Sequence, residues 1–207
     1  MEDLNKTKKD KAEDTPIDDT MGLKMSGHIL ITDKESGEEL VNKRNAIHYG
    51  NMANMIAKAM TDKLGDYYIH FMGFGNGATS VDTAGKVIYK SPRVSESYES
   101  SGTLYSRTYQ KVVSNNTATD KIEVIPGPSY TDLKITCTLG YNEPSDADAF
   151  DTSTTNDGSY VFDELGLLSY ADDINDSILL THVIFHPVQK SKNREIEIVY
   201  TVRVQLN

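Results

Sequence analysis

Two histidines four residues apart, His182 and His186, are the first residues in this chain whose types could carry chemistry. On a helix, that spacing would place both rings on one face, where two imidazoles can bind zinc. The residues around them are mostly β-branched, aromatic or leucine, and Pro187 follows directly. This composition favours a strand, on which the two rings share a face but lie about 13 Å apart. With no evident third ligand nearby, the sequence predicts no metal site.

Two acidic stretches, residues 146–151 and 172–176, contain the oxygen ligands that calcium prefers. A calcium loop of the EF-hand type needs such ligands at alternate positions. Phe150 occupies the third of these positions in the first stretch, and Ile174 and Ser177 break the pattern in the second. Both stretches are therefore interpreted as solvated loops, and calcium binding stays an open alternative.

The run from Gly73 to Gly77 has glycine at every second position. It lacks the spacing of dinucleotide-binding and phosphate-binding loops, and no clear helix follows it. The run is interpreted as a tight turn in which glycine supplies positive φ angles. No cofactor site is predicted.

A catalytic centre is equally hard to assemble from the remaining residues. Asp163 and Glu164 are adjacent carboxylates between Phe162 and Leu165, in a segment typical of a strand. Neighbours on a strand point to opposite faces, so this pair is not expected to act together as acid and base. Cys137 lies in an alternating apolar run and is interpreted as a small core residue. The chain is therefore predicted not to be an enzyme.

The elements that hold these residues are mostly strands. Helical spacing of apolar residues occurs from about Ile47 to Leu64, and Gly65 is well placed to end that helix. Strands are predicted at 28–32, 38–42, 67–74, 85–90, 104–113, 122–125, 133–139 and 196–206. The predicted fold is mainly β: an antiparallel β-sandwich with one α-helix packed on it and an extended N-terminal arm.

The arm is predicted to span residues 1–25 and the sandwich domain residues 26–207. Residues 1–25 contain five Lys and seven Asp or Glu. Such a segment cannot bury enough apolar surface to order itself, so a partner protein is expected to hold it. The residues expected to bind that partner are Leu4, Lys8, Lys9, Pro16, Ile17, Met21 and Leu23.

Composition excludes several partners. The net charge of -10 argues against binding to nucleic acid, because phosphates require Lys and Arg on one face. No apolar stretch approaches the roughly 20 residues of a membrane helix. Residues 142–159 are rich in Asp, Ser and Thr and are predicted to form a long surface loop, whose binding of calcium or glycan stays open.

Three segments, in this order, resemble small structural proteins of tailed bacteriophages. The first, residues 37–59, has a Gly-Glu turn, then Arg44-Asn45-Ala46-Ile47 and an Ala/Met-rich helix. The second is the apolar strand from Ile69 that ends in the Gly-x-Gly run. The third begins with Phe162-Asp163-Glu164-Leu165-Gly166-Leu167 and continues through an acidic turn to residues 187–191 and the last strand. Together they are similar to tail-collar fibre, fibre-attachment, baseplate and neck components.

The resemblance implies a non-catalytic part of the virion, in the neck, tail or baseplate, that acts as an adaptor or fibre-attachment module. Its partners would be other virion proteins and neighbouring copies of itself in a homo-oligomer, assembled in the host cytoplasm. The chain has no repetitive shaft, so a receptor-binding role is not expected. A capsid decoration protein is one alternative. A carbohydrate-binding adhesion module that uses the twelve tyrosines is another.

Overall fold

The computed structural model describes residues 22–61, 68–94, 103–144 and 159–206. The strands are β1 Leu23–Asp33, β2 Glu39–Ile47, β3 Ile69–Gly75, β4 Thr79–Val81, β5 Val87–Tyr89, β6 Arg107–Val112, β7 Asp120–Pro126, β8 Tyr130–Leu139, β9 Ser159–Ser169, β10 Thr181–Ser191 and β11 Ile196–Leu206. The helices are α1 Tyr49–Met60 and a short 3-10 turn, Ile174–Asp176. The predicted class, mainly β with one α-helix, is confirmed.

Nine strands form one antiparallel sheet in the order β6-β3-β9-β10-β2-β1-β11-β8-β7. The sheet has two halves, β2-β1-β11-β8-β7 and β6-β3-β9-β10, joined by two residue pairs, Thr181 with Ile47 and His182 with Ala46. Buried side chains from both halves form one apolar core. The curled sheet is therefore sandwich-like, as predicted. The small β4–β5 hairpin lies beside β10.

Strict alternation builds the core from the terminal strand. Ile196, Ile198, Tyr200 and Val202 are fully buried, while the residues between them are partly exposed. Burying each such side chain contributes about 1.5–3 kcal/mol. Cys137, on the neighbouring β8, is also fully buried, and burial raises the pKa of its thiol. Its predicted role as a small core residue is confirmed.

The two outer strands of the sheet, β6 and β7, are held together by side chains. They are the first and last of nine strands in which each neighbouring pair is antiparallel, so they run in the same direction. No ladder of hydrogen bonds joins them in the described sheet. Lys111 Nζ on β6 lies 2.5 Å from the Thr138 carbonyl oxygen, 2.8 Å from Glu143 Oε2 and 3.5 Å from Asp120 Oδ1. The Tyr109 hydroxyl donates to Glu143 Oε1 at 2.6 Å. This polar cluster ties β6 to the opposite half of the sandwich.

The helix begins later than its apolar spacing predicted. Ile47 still belongs to β2, where it pairs with Thr181. His48 caps the helix, because its Nδ1 accepts from the Asn51 amide at 3.3 Å. Asn51 Nδ2 in turn donates to the Leu179 carbonyl at 2.7 Å, which fastens the first turn to the chain leading into β10.

The end of the helix also differs from the prediction. It closes at Met60, where the Thr61 amide donates to the Lys58 carbonyl. Leu64 and Gly65, the predicted last turn and stop, lie outside the described residues.

The first strand begins before the predicted domain boundary at Ser26. Leu23 pairs with Leu206 and Met25 with Val204, so these residues form part of the sandwich. Leu23 therefore lies in β1, where its backbone extends the β1–β11 ladder, and its binding of a partner stays a prediction. The other six residues predicted to bind a partner lie outside the described residues: Leu4, Lys8, Lys9, Pro16, Ile17 and Met21.

Candidate functional site

A buried cluster of Asp163, Glu164 and His182 is the first place to look for chemistry. Glu164 on β9 is fully buried, and its two carboxylate oxygens accept hydrogen bonds from four donors. Its Oε2 accepts from the Tyr105 amide at 2.9 Å and from His182 Nε2 at 3.0 Å. Its Oε1 accepts from the Ser106 amide at 2.8 Å and from one further amide, of residue 77, at 3.3 Å.

Asp163 binds the same passing segment. Its Oδ1 accepts from the Ala78 amide at 3.1 Å, and its Oδ2 accepts from the Thr79 amide at 2.8 Å and from the Thr79 hydroxyl. The strand geometry predicts only that these neighbouring carboxylates do not act together as acid and base, and that stays a prediction. The chain leaves β3 after Gly75 and passes both side chains, so Asp163 and Glu164 hold consecutive amides of one segment.

The protonation of His182 follows from its contacts. Its Nδ1 accepts from the Arg93 amide at 2.9 Å and therefore carries no proton. Its Nε2 carries the proton and donates to Glu164. Burial raises the pKa of Glu164, but the bonds from His182 and the backbone amides outweigh it and hold that pKa below its usual value.

This carboxylate cluster is a structural tie. Each oxygen of Glu164 has two donors, and both nitrogens of His182 have partners, so no group is left to receive a substrate proton. Among the described contacts of His182 there is no serine, threonine or cysteine nucleophile. The cluster fastens three segments onto the sandwich: the one before β4, the one before β6 and the chain after β5 at Arg93. Its geometry indicates a role in stability.

The alternating glycines serve this tie. Gly73 and Gly75 lie inside β3, so the predicted turn with positive φ is wrong. A Cβ on Gly75 would lie 2.5 Å from the Ser106 carbonyl oxygen and 2.5 Å from Glu164 Oε1. A Cβ on Gly77 would lie 2.7 Å from the Ser106 Cβ. Glycine is required because the backbones approach closely around Glu164.

The other candidate ligands do not converge. His182 is buried, whereas His186 is exposed, with its Nδ1 3.3 Å from the Tyr89 hydroxyl. In the second acidic stretch, Asn175 Oδ1 accepts from Arg107 at 2.9 Å. The first stretch, 146–151, lies outside the described residues. In the ranges that are described, no three His, Cys, Asp or Glu residues group closely enough to hold a metal.

The strongest candidate for function is an apolar groove of about 420 Å³ between α1 and the sandwich, here called the end groove. Helix α1 supplies one wall, and the start of β3, the β6–β7 connection, β7 and β8 supply the others. The lining residues are Met55, Ile56, Ala59, Tyr68, Ile69, Ser114, Asn116, Ile122 and Leu133.

Apolar exposure continues from the end groove onto β7. Val124 lies opposite Leu133 in the β7–β8 ladder, and it shares the core-facing side with Ile122. Nevertheless Val124 is 65% exposed, and Met60 at the end of α1 is 81% exposed. An apolar surface that continues the core and remains uncovered is typical of a protein-binding site.

A free strand edge lies beside this surface. In the described part of the chain, β7 pairs with β8 alone and forms one end of the sheet. Its unpaired amides and carbonyls can accept a further strand from another protein. Ile125, on the outward side of β7, is 44% exposed. The end groove and the β7 edge together form one surface suited to binding a protein.

Sequence reasoning predicted the strands and helix around this surface but not their meeting. The carboxylate cluster was also missed, although two adjacent charges within an apolar strand were a signal, since buried carboxylates need several donors.

Within the described ranges, α1 falls short of the length and apolarity that a membrane-spanning helix needs. No family model, curated protein or solved structure matches this chain.

Proposed function

We propose that this protein is a non-catalytic structural component of a tailed-bacteriophage virion, an adaptor in the neck, tail or baseplate. It joins its neighbours through the sandwich and its N-terminal segment. The observation that carries the proposal is the surface made by the end groove and the β7 edge, where apolar side chains continuous with the core remain uncovered. The ordered resemblance of three sequence segments to phage components supports the choice of assembly.

The interior of the protein fits this role. The buried His182–Glu164 pair is saturated with internal hydrogen bonds, and the neighbouring Asp163 fastens the same loop segment. Such an arrangement supports a rigid building block. A rigid block loses little conformational freedom when it binds, which favours a stable position in a particle.

The size of the surface bears on how neighbours are held. Stable protein interfaces bury about 1,200–2,000 Å² in total, which is more than one groove and one short edge strand provide. Residues 1–21 add a long polar segment to the same chain. We therefore infer that this segment contributes the rest of the contact area and becomes ordered in the assembly.

Incorporation into particles tests the proposal. Val124→Lys introduces a charge beside the end groove, and Val81→Lys introduces the same charge at a 67% exposed site on β4. Burying a valine contributes about 2 kcal/mol, so Val124→Lys is expected to lower incorporation by more than about tenfold, while Val81→Lys leaves it unchanged. The readout is quantitative mass spectrometry of purified particles from complemented infections, with circular dichroism as a control for folding.

Equal incorporation of the two variants would contradict the assigned surface. Absence of the unmodified protein from purified particles would contradict the virion role itself. A capsid decoration protein, the alternative within the same class, would be found on the head surface instead of the tail axis. A carbohydrate-binding module would give a specific signal on a glycan array, and no comparable signal is expected from this protein.

A further inference from the structure

A second surface lies on the outward face of β1 and its two neighbours. It is a hollow of about 300 Å³, here called the basic hollow. It is lined by Lys24, Ser26, Gly27, His28, Arg44, Thr201 and Arg203. Register explains the grouping: Arg44 lies opposite His28 on β2, and Arg203 lies opposite Ser26 on β11. Three permanent cations and a histidine thus meet on a chain whose net charge is -10.

Only part of this charge is neutralised by the sandwich. Arg203 donates to both oxygens of Asp132, at 2.7 and 2.8 Å, and its guanidinium stacks on the Tyr130 ring. His28 Nε2 lies 2.7 Å from Asn42 Oδ1. Lys24 and Arg44 are exposed and have no carboxylate partner among the described residues. The hollow therefore presents two cations to any acidic group that reaches it.

The backbone next to the hollow is also incomplete. Residues Leu23–Ser26 pair with β11, but the β1–β2 ladder begins at Gly27. Their second edge has no strand partner in the described part of the chain. Beside this edge is a notch of about 210 Å³, whose apolar lining includes Met25, Tyr49 and Val94. A short strand added here would gain backbone hydrogen bonds and an apolar contact together.

The chain contains a segment of matching chemistry. Residues 13–19 read Glu-Asp-Thr-Pro-Ile-Asp-Asp, with four carboxylates and no cation. In an extended segment, Asp14 and Asp18 share one face and Ile17 lies on the other. The segment ends three residues before Gly22, where the described structure begins, at the same end of β1 as the free edge.

We propose that residues 13–19 dock at the basic hollow as a short strand beside Leu23–Ser26. Asp14 and Asp18 face Lys24 and Arg44, and Ile17 enters the apolar notch. The docking can occur within one chain or between copies. Exchange between copies rests on the proposed function, whereas the docking itself does not.

Cross-linking of the full chain tests the docking. Pro16→Cys places a thiol in the segment without removing a carboxylate, and Ser26→Cys places one in the hollow. The native Cys137 is fully buried and does not compete. A short bismaleimide is expected to join the two engineered thiols, with Ser80→Cys, an exposed site on β4, as the matched control partner. Equal yields with Ser26→Cys and Ser80→Cys would overturn the proposal.

Charge reversal tests the chemistry. Lys24→Glu with Arg44→Glu is expected to lower the cross-link yield by about fivefold at low salt, because exposed ion pairs contribute modestly to binding. Lys86→Glu, an exposed lysine in the β4–β5 turn, is the control and should leave the yield unchanged. Loss of the effect above about 0.5 M salt is also expected. An unchanged cross-link yield after charge reversal at Lys24 and Arg44 would overturn the proposed docking.

Mixing singly labelled chains separates this inference from the proposed function. Cross-linked dimers between Pro16→Cys chains and Ser26→Cys chains would support both docking and exchange between copies. Cross-links confined to the doubly substituted chain would support docking and contradict the exchange.

Discussion

Glu164→Gln tests the carboxylate cluster most sharply, because it replaces one buried carboxylate oxygen with an NH2 group of nearly the same size. Oε1 and Oε2 each accept two hydrogen bonds. In either orientation of the glutamine amide, its NH2 group therefore faces two donors. His182 cannot relieve the conflict by moving its proton, because its Nδ1 accepts from the Arg93 amide.

The magnitude follows from these contacts. A buried donor without an acceptor costs about 1–3 kcal/mol, so two such donors give a loss of about 3 kcal/mol or more. That loss is a large share of the free energy of unfolding of a typical domain, which is about 5–15 kcal/mol. With a urea m-value of about 2 kcal/mol/M, the unfolding midpoint should fall by about 1.5 M.

Equilibrium urea unfolding, followed by circular dichroism, is the assay. Glu123→Gln on β7 is the matched control, since the Glu123 side chain is 40% exposed and its partner Lys121 lies 3.2 Å away. The control should lose less than about 1 kcal/mol. If Glu164→Gln unfolds within about 0.5 M of the unmodified protein, the cluster does not hold the loops and the reasoning is refuted.

Three further substitutions test other parts of the fold. The Ser36 amide and Arg194 lower the pKa of Asp33 from 3.8 to about 2. Its contribution to stability is therefore present above pH 3.8 and is lost as the pH falls towards 2. Asp33→Asn should reduce the fall of the unfolding midpoint between pH 3.8 and pH 2. Gly75→Ala should lower the free energy of unfolding by about 2 kcal/mol, measured by thermal unfolding, because its Cβ would meet the Ser106 carbonyl. Gly22→Ala, where a Cβ meets open space, should leave that free energy nearly unchanged. Lys111→Met should lose about 2 kcal/mol, because Glu143 and the Thr138 carbonyl lose their charged donor, and an unchanged urea midpoint would show that β6 is held otherwise.

The sequence predicted the parts of the fold that follow from local patterns. The alternation from Ile196 to Leu206 predicted β11 and its buried face, and the alternation around Cys137 predicted β8. These patterns are readable because one side of each strand faces the core along its whole length. The helix was predicted as an element, but its ends depended on a ladder pair at Ile47 and a cap at His48.

The candidate sites depend on residues that are distant in sequence. Glu164 meets Ser106 across 58 positions and His182 across 18, so no local spacing shows that they form one cluster. The alternating glycines were interpreted as a turn because close backbone approach and positive φ both require glycine. The end groove likewise exists because α1 comes to lie against Ile69 and Leu133, which the sequence separates by more than sixty residues.

Electron cryo-microscopy of purified particles tests the central claim most directly. We expect density for this sandwich in the neck, tail or baseplate, with another chain seated in the end groove or added to β7, and with residues 1–21 in contact with protein. Particles in which the sandwich is absent, or in which Val124 and the β7 edge face open solvent, would contradict the account.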